Sequence, residues 1–380
     1  MSGTEITYKK EIAMEQIRIL HIVHILDRGG MESRIMDLYR HLDRSKYQYD
    51  FYVESGKGGT YDNEVIDLGG RVYLAEKNNK YNIPDFKQFK DFLKKHQEYK
   101  IIYAYNQWAG WYLHKAQRCG IPNRIANART CIETKSLKNM LKNLLKMNVN
   151  KYATHRFAVS KKAAIWLFGD EIFNRGEVEV WPNAINSENF RYYEEVRRDV
   201  REELNLKDSF TVIHVGNIRF EKNHSFLLAV FEGLKRDLPN AKLILVGGGD
   251  IDKLRLRMKT LNIEDSVMYL GVRQDVFRLL QAGDCFVFPS LYEGFPGAVL
   301  EAEASGLNCL ISDTITDEVM LTSHIKMMSI KDSPLLWAEA IKNFEETDRK
   351  DSWNVIKKAG YDINELIERT EKFYDSILSA

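Results

Sequence analysis

Two carboxylates and two cations in this chain have types and spacing suited to holding a charged, hydroxyl-rich ligand. The carboxylates lie in Pro289-Ser-Leu-Tyr-Glu-Gly-Phe-Pro-Gly-Ala-Val-Leu-Glu301. The apolar run Cys285 to Phe288 just before them reads as a buried strand, Gly294 as a turn, and Pro296 as a first-turn helix residue whose missing amide proton costs nothing there. Glu293 then sits in the loop and Glu301 inside the helix. Such a strand-loop-helix junction points free backbone amides and a positive dipole end at whatever lies above the sheet, which suits a phosphate-bearing ligand. On this segment alone a second reading stands equally: two solvated glutamates favoured by the helix dipole.

Further candidate phosphate loops each follow an apolar run. Gly29-Gly30 comes before a helical pattern, where backbone amides can approach an anion closely. The loop Gly216-Asn-Ile-Arg-Phe-Glu-Lys-Asn223 offers Asn217, Arg219 and Lys222, and its two cations can converge on one diphosphate, Arg219 as a planar fork and Lys222 as a flexible point charge. Taken singly, they are also what a solvated surface loop carries. Gly247-Gly248-Gly249 keeps side chains out of the space above the next strand, but it lacks the full G-x-G-x-x-G spacing and downstream acid of a nicotinamide site. Asp250-Ile-Asp252 imitates a metal-binding D-x-D, yet it opens a helical pattern, so helix capping explains it better. His21, His24 and His214 alternate with apolar strand residues and form no ligand cluster with His224. No metal site and no cofactor are expected.

The elements that must position these residues alternate strand with helix. Candidate strands run at 17–25, 49–53, 72–74, 101–104, 124–126 and 156–159. After Pro182-Asn183 and a polar, charged stretch the pattern restarts, with strands at 210–215, 242–246, 267–270, 285–288 and 309–312 and helices at 225–237, 251–261, 276–281 and 296–304. The fold class expected is α/β, with two doubly wound, Rossmann-like domains facing each other across a cleft into which strand-end loops project. Residues 1–14 are a polar N-terminal arm ahead of the first strand, with Met14 an alternative start; 15–190 form the first domain and 191–358 the second. The segment 359–380 is a helix that returns to the first domain. The 380 residues carry a net charge of only +1, so no global basic field recruits nucleic acid, and 44% hydrophobic residues suffice for real cores. Four cysteines without C-x-x-C spacing read as reduced thiols of a cytoplasmic protein.

In combination and order, Gly29-Gly-Met-Glu32, Trp166-Leu-Phe-Gly169, Pro182-Asn-Ala-Ile185, Val215-Gly216 with Glu221-Lys-Asn-His224, Val246-Gly247, Pro289-Ser-Leu-Tyr-Glu-Gly294 and Glu301-Ala with Ala304-Ser-Gly306 resemble the retaining glycosyltransferases of family 4, over nearly the whole chain. Those enzymes have the GT-B fold, and the resemblance is nearest to the branch that builds capsules, exopolysaccharides and O-antigens. Glu293 and Glu301 match the family's E-x7-E motif. The resemblance implies a nucleotide-sugar donor, most simply a UDP-sugar, and a glycan or lipid-linked oligosaccharide acceptor. It implies that Arg219 and Lys222 stabilise the leaving diphosphate, that Glu293 holds the donor sugar, and that Glu301 binds the ribose hydroxyls. Val272 and Arg273 would flank the base, while Gly29, Gly30, Gly216, Asn217, Gly247, Gly294, Phe295 and Pro296 would line the donor site. Two departures are present. Asn217 stands where many relatives have an arginine, with Arg219 two positions on as its substitute. First-domain histidines of relatives are replaced by Tyr103-Ala-Tyr105-Asn106 and Arg124-Ile-Ala-Asn-Ala-Arg129, making Asn106, Asn127 and Arg129 the acceptor-side candidates.

Between Lys135 and Lys151 there are five lysines and no acid, with Lys135, Lys138, Lys142 and Lys146 on one helical face and Leu137, Met140, Leu141, Leu144 and Met147 on the other. Such a helix can lie peripherally on an anionic inner leaflet, each lysine contributing about 1 kcal/mol at most, or it can be a domain helix with a wet face. Two other functions fit the same fold: a nucleotide-sugar epimerase or phosphorylase, and a non-catalytic partner subunit of another glycosyltransferase.

Overall fold

A computed structural model of the chain describes residues 16–27, 29–76, 84–130, 149–345 and 348–379. The N-terminal arm and the lysine-rich helix expected from Lys135 to Lys146 lie outside the described residues.

Two all-parallel sheets organise the chain. The first comprises β1 (Ile17–Val23), β2 (Tyr47–Val53), β3 (Val72–Leu74), β4 (Ile101–Tyr105), β5 (Asn123–Ala128), β6 (His155–Ala158) and β7 (Glu179–Val180), in the order β3-β2-β1-β4-β5-β6-β7. The second comprises β8 (Thr211–Val215), β9 (Lys242–Val246), β10 (Val267–Tyr269), β11 (Cys285–Phe288), β12 (Asn308–Ser312) and β13 (Ile325–Met328), in the order β10-β9-β8-β11-β12-β13. Every residue of β2 and β11 is buried, as expected of strands covered by helices on both faces. In each sheet the chain reverses its direction of travel at one place, between β1 and β4 and between β8 and β11, and a crevice opens beyond the strand ends there. Gly29-Gly30 follows β1, the Gly216–Asn223 loop follows β8, and the Pro289–Glu301 segment follows β11. The topology thus carries the candidate residues to the two switch points.

Two edge strands were not apparent in the sequence. Only two residues of β7 pair with β6, and Lys326 interrupts the apolar run of β13. Pro296 differs by one position from its expected place: it caps the helix Gly297–Ala304 rather than opening it. The far end of that helix is held by Arg349, whose Nε donates to Ser305 O at 2.9 Å and whose Nη1 donates to Gly283 O at 3.0 Å, satisfying carbonyls that two helix ends leave open. The last helix, Ile363–Ser379, follows Gly360 in the left-handed region (φ 83°) and lies on the first sheet, where Tyr374 Oη meets Tyr49 Oη at 2.8 Å and Lys46 pairs with Asp375 at 2.6 Å.

Glu303, on the same helix as Glu301 but facing the core, is fully buried. One oxygen accepts from Leu321 N, Thr322 N and Thr322 Oγ1, the other has no partner among the described residues, and burial pushes the carboxyl up to about 7. Its ordinary value is 4.5, so between these values the folded state binds more protons than the unfolded one and stability falls as pH rises. The full penalty, about 3 kcal/mol at most, is present above pH 7 and absent below the unfolded value. Glu303→Gln keeps the accepting oxygen. It should therefore melt several degrees above the wild type at pH 8 and together with it at pH 4, a comparison that calorimetry makes directly.

Candidate functional site

The cleft between the two sheets has a volume of about 800 Å³. The first domain contributes Gly29, Gly30, Arg34, Arg129 and Asn183, and the second contributes Gly216, Asn217, Arg219, Lys222, Gly247, Val272, Arg273 and the stretch from Tyr292 to Ala298, together with Glu301. Every residue expected at the donor site lines this one volume.

The glycine loops are shaped by close approach. Gly247 has φ 145°, and a Cβ there would come within 2.3 Å of Gly216 O; the Asn217 Oδ1 in turn accepts from Gly248 N–H at 2.8 Å. The Gly216–Asn223 loop is tied to the glutamate loop, since Leu291 N–H donates to Glu221 O at 2.7 Å and Asn223 Nδ2 to Pro289 O at 3.2 Å. Lys222 is thereby held with its Nζ 2.6 Å from Glu293 Oε1 and 4.6 Å from the centre of the Phe288 ring. Arg219 is exposed in the cleft mouth. Cation and carboxylate therefore meet as an ion pair on the wall of the cleft.

Glu301, one turn and more along its helix, is paired with Arg34 of the first domain, and Arg34 also pairs with Asp37 at 3.0 Å. Arg34 lies on the helix Gly30–His41 that follows the Gly-Gly turn. Nothing in the sequence singled it out, because the pairing spans 267 positions and two domains. Its one available signal is its place one helical turn past Gly30, on the face that begins at the Gly-Gly turn.

At Gly294 the two domains come into close contact. A Cβ there would lie 2.2 Å from Arg129 O, and Ser160 Oγ donates to Gly294 O at 2.7 Å. Of the three acceptor-side candidates, Arg129 alone reaches the cleft. Asn106, left-handed at φ 55°, instead accepts from Arg129 N–H at 2.9 Å and so positions its backbone, while Asn127 lines a separate recess beneath. Asn183, not anticipated, accepts from the Arg129 guanidinium. Arg273 makes a bidentate pair with Asp275 at 2.7 Å and stands with the exposed Val272 at the cleft margin.

His21 is buried, its Nδ1 2.7 Å from Tyr105 Oη, and desolvation lowers its pKa to about 3. His214 and His224 are likewise held neutral by burial. Asp250 lies just ahead of the helix Asp252–Thr260, whose N-cap is Ile251, and its Oδ1 accepts from Asp252 N–H at 3.0 Å. Among the described residues no three His, Cys, Asp or Glu side chains converge as a metal site.

Two family models divide the chain: that described as Glycosyltransferase Family 4 matches residues 28–189, and that described as Glycosyl transferases group 1 matches 196–361. EpsF of Bacillus subtilis, a protein named as a glycosyltransferase, is 30% identical over 336 residues, 86% of this chain and 87% of EpsF. The chain belongs to the family 4 glycosyltransferases. Among other relatives, the capsular polysaccharide biosynthesis glycosyltransferase CapH of Staphylococcus aureus is 25% identical over 95% of this chain and 99% of its own. An Escherichia coli UDP-Gal:alpha-D-GlcNAc-diphosphoundecaprenol alpha-1,3-galactosyltransferase is 32% identical over 36% of this chain and 37% of its own. In three dimensions this glycosyltransferase superposes on HepE of Anabaena, solved with UDP and glucose, with a TM-score of 0.77 at 16% identity, over 95% of this chain and all of HepE. The two facing Rossmann-like domains are thus the GT-B fold of the glycosyltransferases.

Proposed function

We propose that this glycosyltransferase moves a sugar from a UDP-sugar to a growing, lipid-linked surface glycan with retention of anomeric configuration. The observation that carries the proposal is the convergence of Arg219, Lys222, Glu293 and Glu301 on one cleft at the switch points of both sheets. Departure of UDP leaves negative charge on the diphosphate and positive charge on the sugar ring. In this reading Lys222 and Arg219 oppose the first, and Glu293, whose Oε1 lies 2.6 Å from Lys222 Nζ, opposes the second. These two cations supply the charge stabilisation that a metal provides elsewhere. Glu301 accepts from the two ribose hydroxyls, a suitable task for one carboxylate, once Arg34 yields it. In this reading the enzyme supplies no nucleophile, and the departing phosphate serves as the base for attack from the same face. A UDP-sugar is supported by the UDP and glucose of HepE, and a polyprenyl-diphosphate-linked acceptor by the E. coli galactosyltransferase. A role in capsule or exopolysaccharide assembly is supported by CapH. With an α-linked UDP-sugar, NMR of the product should show an α linkage; a β linkage would overturn the retaining mechanism.

Among the described residues no helix is long and apolar enough to cross a membrane. Reaching a lipid-linked acceptor from the cytoplasmic side then calls for peripheral attachment, and the Lys135–Lys151 segment has the composition for it. The protein should sediment with anionic liposomes at low salt and be released as salt rises. Failure to sediment in low salt would remove the peripheral assignment.

A further inference from the structure

Arg129 stands between two volumes. One is the cleft, and the other is a recess of about 60 Å³ whose walls include Tyr49, Tyr103, Tyr105, Phe157, Trp181 and Tyr374. The backbone of Arg129 is pinned by Asn106 on one side and pressed on Gly294 on the other, one residue from Glu293. Its guanidinium is turned to Asn183, and in the donor reading the neighbouring Glu293 marks this as the sugar end of the cleft. Only one of its five N–H donors, that to Asn183 Oδ1, has a side-chain partner among the described residues, and no carboxylate there lies within ion-pair distance. Arg34 next to it is held between Glu301 and Asp37. The acid whose field reaches Arg129 is Glu32, and burial raises the Glu32 pKa, which weakens that compensation. Two buried atoms of the recess wall, His21 Nε2 and Asn127 Oδ1, also have no hydrogen-bond partner among the described residues. A half-buried guanidinium with most of its fork without a partner among the described residues is suited to completion by an anion.

We propose that Arg129, with Asn183 beside it, binds an oxyanion, a carboxylate or phosphate, carried by one of the two sugars that meet in the cleft, so that the enzyme works on an acidic glycan unit. This rests on the donor reading above. The planar fork of Arg129 takes either anion through two parallel hydrogen bonds. The anion can belong to the donor sugar or to the acceptor, and calorimetric titration has one arm for each. The donor arm compares UDP-glucuronate with UDP-glucose. The acceptor arm, with the cleft saturated by UDP, compares glucuronate and glucose 6-phosphate with glucose. In one of the arms the anionic ligand should bind about tenfold tighter than its neutral counterpart. Arg129→Gln should abolish that preference and Arg129→Lys should retain part of it, while both variants bind UDP itself as the wild type does. Normal UDP binding with no preference in either arm, or a preference that survives Arg129→Gln, would overturn the anion site alone. A fall in UDP affinity in Arg129→Gln would overturn it too, by making Arg129 part of the nucleotide site. A wild-type protein that binds no UDP would overturn the donor reading, and this inference with it.

Discussion

Lys222→Ala should lower kcat by about 100- to 1000-fold, the range expected when one preorganised group opposing transition-state charge is removed. The side chain is only 18% exposed and is bracketed by Glu293 and the Phe288 ring, so its ammonium is fixed where water cannot substitute for it well. The charge it opposes develops as the sugar leaves, so turnover should suffer far more than UDP affinity. Lys222→Arg should recover part of the loss, since the positive charge is restored with a different geometry. Arg219→Ala should cost less, because the exposed position of Arg219 leaves it screened by solvent and salt. Steady-state release of UDP, measured beside UDP binding, separates the two effects.

The second large effect distinguishes the two glutamates. Glu301→Gln should weaken UDP binding by about 10- to 100-fold, the loss expected when hydrogen bonds from two hydroxyls to a charged acceptor become bonds to a neutral amide. The measured figure will be a net one, because in the free cleft Glu301 is paired with Arg34 and the substitution also releases that partner. Glu293→Gln should leave UDP affinity within a few-fold of wild type and lower kcat instead, since in the proposed reading its carboxylate, paired with Lys222, holds the donor sugar and not the nucleotide. Binding titrations with UDP and kinetics with the whole donor resolve the two. Equal loss of UDP affinity in both variants would contradict the division of roles.

Both sheets, their cleft and the residues expected to line it were legible because each depends on local signals. An apolar run followed by a glycine loop and a helical pattern announces a strand end whether the partner strand is known or not, and Gly216, Gly247, Lys222, Glu293 and Glu301 all belong to such junctions. What escaped was whatever depends on how the two domains dock. Arg34 meets Glu301 and Asn183 meets Arg129 only after the chain has folded, across separations that no periodicity records. Asn106 and Asn127 became acceptor-side candidates because they fall in the strings that replace the first-domain histidines of relatives. Strand position alone does not say whether a side chain reaches the cleft, supports a neighbour's backbone or faces a recess, and these two do the latter. The edge strands β7 and β13 were missed for a related reason, since short edge pairings carry little hydrophobic pattern of their own.

The central claim, that this cleft releases UDP as it transfers a sugar, is met most directly by measuring nucleotide release over a panel of nucleotide sugars with and without polyprenyl-diphosphate-linked acceptors. At least one UDP-sugar should give acceptor-dependent UDP release in the wild type, and Lys222→Ala should lose it. Tight nucleotide binding without turnover on any donor and acceptor would contradict the claim and make the chain a non-catalytic partner that keeps the fold.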